Sequence, residues 1–188
     1  MHELTVSIPA AEVSGGNDVR LVPVVPELDA QTVYRLINED RAHIEAYDLG
    51  FADFSTVKAV QEYLVNRCNE FAFGVMAANQ MAGNVYLSHT QVPELMAVSY
   101  WIAKSYSKRG IGTEAIQQAV DFAFAELNTH AVLASVNSGN VASVALLKRL
   151  GFGQIKKETV ELPIGPIEVC HYGLPNPSIL PESSEVAV

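Results

Sequence analysis

Hydrophobic positions change their spacing twice along the chain. From Asp29 to about Asn38 the apolar residues Val33, Leu36 and Ile37 fall on one helical face, with Asp29 as the capping residue. Residues 20–25 ahead of it read as a strand weakened by Pro23. Residues 4–8 read as a further short strand and 14–18 as a loop. A second helical stretch covers 40–47, and the aromatic, glycine-containing segment 48–54 reads as a loop. Ser55 or Thr56 then caps a longer helix over 57–69, with Val60, Tyr63 and Leu64 on its apolar face.

The middle of the chain switches to strand patterning. Segments 71–77, 82–89 and 95–102 predict an antiparallel meander, with its first turn at Asn79-Gln80. Helical spacing returns over 112–127, a short apolar strand follows at 131–136, and a helix over 141–150 stops at Gly151. Two strands, 154–162 and 167–173, close the pattern around the Pro163-Ile164-Gly165-Pro166 turn. This order predicts a mixed α/β sheet. Strands 95–102 and 131–136 are expected to be parallel neighbours joined by a right-handed crossover. Ligands of such sheets sit at the carboxyl ends of the strands, here near Ile102 and Val136.

The length of 188 residues suits one domain. We expect it over 20–174, with an extension at 1–19 and a surface tail over 175–188. Hydrophobic residues at 49% and charged ones at 18% are in the globular range. The net charge of −9 disfavours a nucleic-acid partner and an anionic membrane surface, but suits a cationic acceptor. Cys68 and Cys170 are too few for a disulfide framework or a cysteine metal site, and read as free thiols in a reducing compartment. No segment reads as a signal peptide or a membrane span, so a cytoplasmic location is expected.

The strand end Tyr100-Trp101-Ile102 leads into Ala103, Lys104 and the turn Ser107-Lys108-Arg109-Gly110-Ile111-Gly112-Thr113, where a helix begins. Gly110 and Gly112 let the backbone approach an anion. The first helical N–H groups have no internal partners, and the helix dipole adds positive charge there. With Lys104, Lys108 and Arg109 alongside, the turn suits a pyrophosphate. It lacks the Gly-Lys-Ser/Thr of a P-loop and the third glycine of a dinucleotide fingerprint, and taken alone it reads first as a tight strand–helix turn with solvated basic residues. A second motif, Asn137-Ser138-Gly139-Asn140-Val141-Ala142-Ser143, lies at the next strand end, with Gly151-Phe152 after its helix. Asn140 and Ser143 fall one turn apart on one helix face.

Together, Gly-x-Gly, helix, strand, Asn-x-x-Ser, helix and Gly-Phe resemble the GNAT superfamily of acetyl-CoA-dependent N-acetyltransferases. The likeness spans roughly 20–174. The Tyr100-Trp101-Ile102 and Asn38-Glu39-Asp40-Arg41-Ala42-His43-Ile44 segments are most similar to the branch acetylating ribosomal-protein N-termini. The resemblance implies direct acetyl transfer from acetyl-CoA to an amine, without a metal. It implies that the amides of 107–113 hold the pyrophosphate and that Ile102, Ala103 and Lys104 line the pantetheine. It places Asn137 and Asn140 on the cofactor side and Ser143 near the sulfur, as donor to the leaving thiolate. Homodimers are common in that family. The chain departs from the family pattern at three positions. Ser107 replaces an Arg, Gln or Trp, Leu147 stands where a tyrosine acid is frequent, and Ala97 where a carboxylate is frequent.

The acceptor amine must be neutral to attack. An α-amine, with pKa near 7.7–8.0, is neutral in about a tenth of molecules at pH 7, a lysine only about once in a few thousand. A site without a strong base is therefore better matched to an α-amine. Candidate bases are Glu158, on the strand after Gly-Phe, His89 and Glu94. His43 lies on the early helices, on the acceptor side, whereas His171 reads as a sheet residue. A small-molecule amine is the alternative acceptor, and a non-catalytic acyl-CoA-binding module the alternative role.

Overall fold

The computed structural model describes residues 18–45, 54–67, 71–162 and 165–179. The expected strand at 4–8, most of the loops at 14–18 and 48–54, Cys68, the Pro163-Ile164 half of the last turn and the end of the tail lie outside them. The order is β1 (Val19–Pro23), α1 (Pro26–Glu39), α2 (Arg41–Glu45), α3 (Val57–Arg67), β2 (Phe71–Ala77), β3 (Gln80–His89), β4 (Leu95–Ile102), α4 (Ile111–Glu126), β5 (Ala131–Asn137), α5 (Val141–Arg149), β6 (Gly153–Leu162) and β7 (Gly165–Pro175). They build one mixed seven-stranded sheet in the order β1-β2-β3-β4-β5-β7-β6, in which β4 and β5 are the parallel pair.

Local chemistry explains most boundaries. Helix α1 starts earlier than the pattern predicts, with Val25 and not Asp29 as its N-cap, because Pro26 supplies a pre-set first turn. Asp29 still caps, from inside the helix: its Oδ2 accepts the Val25 N–H at 2.7 Å, one residue beyond the position that a capping box uses. Of the two candidate caps for α3 it is Thr56 that serves, its Oγ1 accepting the Ala59 N–H at 3.1 Å. Thr56→Ala is expected to cost about 1 kcal/mol, read as a lower urea midpoint at unchanged slope. The β2–β3 turn falls on Ala78 and Asn79, both left-handed (φ 48° and 62°), one residue before the expected position. That is the primed turn whose twist matches a hairpin. β7 runs on to Pro175, and Asn176 is buried, donating Nδ2–H to Thr129 O at 3.0 Å. The chain past 174 is therefore held to the domain at least that far.

Two apolar cores cover the two faces. One packs Ile111, Ala115, Ile116 and Ala119 of α4 and Leu147 of α5 against the sheet. The other packs Val33, Leu36 and Ile37 of α1 and Val60 and Leu64 of α3 against Tyr86 and Trp101. Cys170 is buried with a free thiol. Among the described residues no helix is long and apolar enough to cross a membrane.

β4 and β5 pair only at Leu95, Met96 and Ala97 against Ala131, Val132 and Leu133. Beyond Ala97 the two strands diverge, and a gap opens at their carboxyl ends.

Candidate active site

A cavity of about 1120 Å³ fills that gap. Its floor is the open edge of β4. Ala103 N–H donates to Ala82 O at 2.8 Å. In an antiparallel ladder such bonds alternate, so Trp101 and Ala103 turn their backbone groups toward β3. Tyr100 and Ile102 therefore turn theirs the other way, to the edge that β5 has left. Ala103 and Lys104 cannot share this role through their amides, since Lys104 N–H donates to Asp40 Oδ2 at 2.7 Å. That bond ties the end of α1 to the end of β4.

The second wall is the start of α4. Gly110 is its N-cap, left-handed at φ 81°, and no side chain caps the helix. The first backbone bond inside α4 runs from Glu114 N to Gly110 O at 3.0 Å. The N–H groups of Ile111, Gly112 and Thr113 therefore remain unmatched within the helix, as an anion site requires. Lys108 is also left-handed, φ 58°, which coils the turn around the cavity. Ser107, Lys108, Gly110, Gly112 and Thr113 line the space. Ile111 points into the core, and Arg109 stacks 5.9 Å from the Tyr106 ring. Arg149 of α5 adds a positive charge that sequence reading missed; its Nη1 donates to Thr113 Oγ1 at 3.3 Å.

The third wall is the β5–α5 junction. Asn140 is the N-cap of α5 and its Oδ1 accepts Ser143 N–H at 3.1 Å. Asn137 Oδ1 accepts Gly139 N–H at 2.9 Å. Both asparagines shape this wall through their side-chain oxygens. Ser143 faces the cavity, close to the Tyr100 hydroxyl. Burial raises the Tyr100 hydroxyl above its usual pKa, and the Ser143 hydroxyl opposes that rise. Tyr100 Oη has no hydrogen-bond partner of normal geometry among the described residues. Leu147 is fully buried in the core, so α5 offers no proton donor there.

The remaining side is aromatic. Tyr63 of α3, Tyr86 of β3 and Trp101 of β4 line it. The Arg67 guanidinium lies 5.5 Å from the Tyr63 ring and 5.2 Å from the Tyr86 ring. Burial and the neighbouring Tyr63 hold the Tyr86 hydroxyl well above its ordinary pKa, so it stays protonated.

The candidate bases lie apart from this space. His89 is opposite Met96 at the paired end of β4, with its ring 6.1 Å from Phe71. Glu94 precedes β4, where its carbonyl accepts His130 N–H at 2.8 Å. Glu158 on β6 is ion-paired with Lys156 and bonded to His171 Nε2 at 2.9 Å. The Lys156 ammonium, then His171, holds its carboxyl below the usual range, and it is a carboxylate at neutral pH. The side chain of His43 lies outside what is described. Ser135 and His171 carry no motif, and their significance, like that of the Tyr100 hydroxyl, depends on register across β4, β5 and β7.

A family model described as "Acetyltransferase (GNAT) domain" matches residues 18–153. A probable N-acetyltransferase of Bacillus subtilis, YjcK, is 31% identical over 135 residues, covering 66% of this chain and 75% of its own. Mycobacterium smegmatis RimJ, solved with a CoA disulfide, superposes with a TM-score of 0.76 at 21% identity, over 87% of this chain and 84% of that one. The ribosomal-protein-S5-alanine acetyltransferase of Vibrio fischeri gives 0.75 at 20% identity, over 89% and 97%.

Proposed function

The chain belongs to the GNAT acetyltransferase family, and from that premise we propose that it acetylates the α-amine at the N-terminus of a protein. It is an acetyl-CoA-dependent N-acetyltransferase. One observation carries the reading of its site: an unpaired β4 edge and an uncapped, left-handed start of α4 meet along one cavity. The first suits an extended pantetheine amide arm, which would add to the edge as a strand does. The second suits a pyrophosphate. The residues present therefore fit acetyl-CoA, whose thioester supplies the activated acetyl group.

In this reading the amides of 111–113 hold the pyrophosphate, with Lys108 and Arg149 lending charge. Tyr100 and Ile102 hold the arm through their backbones, and Asn137 and Asn140 fix the β5–α5 turn. Ser143 donates its hydroxyl proton toward the leaving sulfur. Tyr100 stands behind it as a second donor, in place of the tyrosine that α5 lacks. A thiol has an ordinary pKa near 8.5, so the thiolate leaves without full protonation and hydrogen bonds from the two hydroxyls suffice. The aromatic wall of Tyr63, Tyr86 and Trp101 borders the acceptor. Likeness in fold to ribosomal-protein acetyltransferases supports an α-amine, as does the lower cost of deprotonating one.

The test is free-thiol release from acetyl-CoA with a panel of peptides bearing free N-termini and a panel of polyamines and amino acids. Turnover is expected with the peptides at least tenfold above the small amines, and the reverse order would replace the acceptor. Ser143→Ala is expected to lower kcat about tenfold with acetyl-CoA affinity unchanged, and Tyr100→Phe to lower it less. An unaltered kcat in Ser143→Ala would remove Ser143 from the chemistry.

A further inference from the structure

We propose that Ser135, His171 and Glu158 form a proton relay, in which Ser135 takes the proton from the acceptor amine and His171, held by Glu158, passes it to solvent. The inference rests on the transferase reading above and names a base for it.

Two contacts define the chain of bonds. Ser135 Oγ lies 2.9 Å from His171 Nδ1, and His171 Nε2 lies 2.9 Å from Glu158 Oε1. The sheet makes both. Ser135 and His171 are opposite one another on β5 and β7. Lys156 is opposite His171 on β6, and Glu158 is two residues along, hence on the same face. Val132, Ala134 and Val136 of β5 face the α4 core. By alternation Ser135 points to the other face, the one that carries Tyr86 and Trp101. Ser135 is also the member that reaches the cavity. Continuing the Ala97–Leu133 register by two residues sets it across the gap from Ser99, another lining residue.

The direction of the bonds follows from chemistry. A carboxylate only accepts, so neutral His171 carries its proton on Nε2 and gives it to Glu158. Its Nδ1 lone pair is left to accept the Ser135 hydroxyl proton. The Ser135 oxygen then has lone pairs free for an N–H in the cavity. Lys156 bonds the same carboxylate and keeps it ionised. The far end of the chain is wet: the His171 and Glu158 side chains are 30% and 37% exposed. A proton arriving there can leave. His89 has no such connection to the cavity.

In the step itself the amine nitrogen bonds to the acyl carbon, and the carbon–sulfur bond breaks with its electron pair going to sulfur. The amine proton passes to Ser135 Oγ as the Ser135 hydroxyl proton passes to His171 Nδ1. The imidazolium so formed, paired with Glu158, gives a proton to water. The sulfur leaves as the thiolate, held by a hydrogen bond from the Ser143 hydroxyl, and takes any proton from water. Ser135 is the residue that touches substrate, and His171 and Glu158 act through it.

The experiment compares wild type, Ser135→Ala, His171→Gln and Glu158→Gln with acetyl-CoA and peptides whose α-amines are graded in basicity. Acetyl-CoA affinity is expected within twofold of wild type in all. The amine kcat/KM is expected to fall about a hundredfold in Ser135→Ala and His171→Gln and about tenfold in Glu158→Gln. The double variant Ser135→Ala/His171→Gln should be no slower than either single one, since the residues act as a unit. The deficit should grow with amine basicity, because a more basic amine yields its proton less readily. A purely structural loss would slow every amine equally, and that result overturns the proposal. So do wild-type rates in Ser135→Ala and His171→Gln, acetyl accumulating on Ser135 in the absence of amine, or an Nδ1–H tautomer of His171 in long-range nitrogen NMR. If wild type releases thiol with no amine at all, the transferase reading fails instead, and the relay falls with it.

Discussion

Gly110→Val is expected to weaken acetyl-CoA binding about a hundredfold or more, measured by calorimetry, while the protein remains folded. The reason is backbone strain and not bulk. Gly110 sits at φ 81°, and a Cβ built there meets nothing within 4 Å. A β-branched residue in the left-handed region costs roughly 1–2 kcal/mol, and the turn relieves that strain by changing conformation. Gly110 is the N-cap of α4, so any such change redirects the N–H groups of 111–113. Each hydrogen bond lost to a charged group is worth about 1.5–3 kcal/mol, and two lost bonds already exceed a hundredfold. Gly110→Asn separates the causes, since asparagine tolerates the left-handed region. It should retain affinity within about tenfold. Equal affinity of the valine variant and wild type would remove the α4 start from the binding site.

Gly83→Val is expected to destabilise the whole domain by about 3 kcal/mol or more, seen as a large drop in the urea midpoint. Gly83 is opposite Ile102 in the β3–β4 ladder. A Cβ there would lie 2.9 Å from Ile102 Cα and 3.0 Å from the Trp101 carbonyl carbon, with Trp101 O closer still. These are backbone atoms and cannot rotate away. The strands would have to part at the segment that lines the cavity. Gly74→Ala is the control: its Cβ meets the Met81 Cε at 3.0 Å, the end of a flexible side chain. It should cost under about 1 kcal/mol. Similar losses in both variants would show that the cost at Gly83 does not come from this backbone contact.

Much of this architecture could be read from local signals. The Asn79 turn, the Thr56 cap, Gly151 at φ 86° and the switch from helical to alternating spacing each act within a few residues. Boundaries slipped where a second local rule competed. Pro26 starts α1 ahead of Asp29, and the left-handed Ala78 moves the hairpin turn by one. The uncapped start of α4 was equally legible, because glycines at a strand–helix junction need no tertiary partner to expose their amides.

The sequence by itself determined the order of elements, the parallel strand pair flanking a Gly-rich turn, and the family with its acetyl-CoA chemistry. The first two follow from side-chain period and backbone preference over short spans, and the family from the resemblance that the Gly-x-Gly, Asn-x-x-Ser and Gly-Phe motifs carry. Only the tertiary structure decided which backbone groups of β4 face an open edge, since that depends on where β5 stops pairing. It also set Tyr100 beside Ser143 and linked Ser135 through His171 to Glu158. Ser135 and His171 are 36 residues apart in the chain and adjacent only through the β5–β7 register. That register is fixed by which residues of both strands must face the α4 core, a global condition that no local window contains.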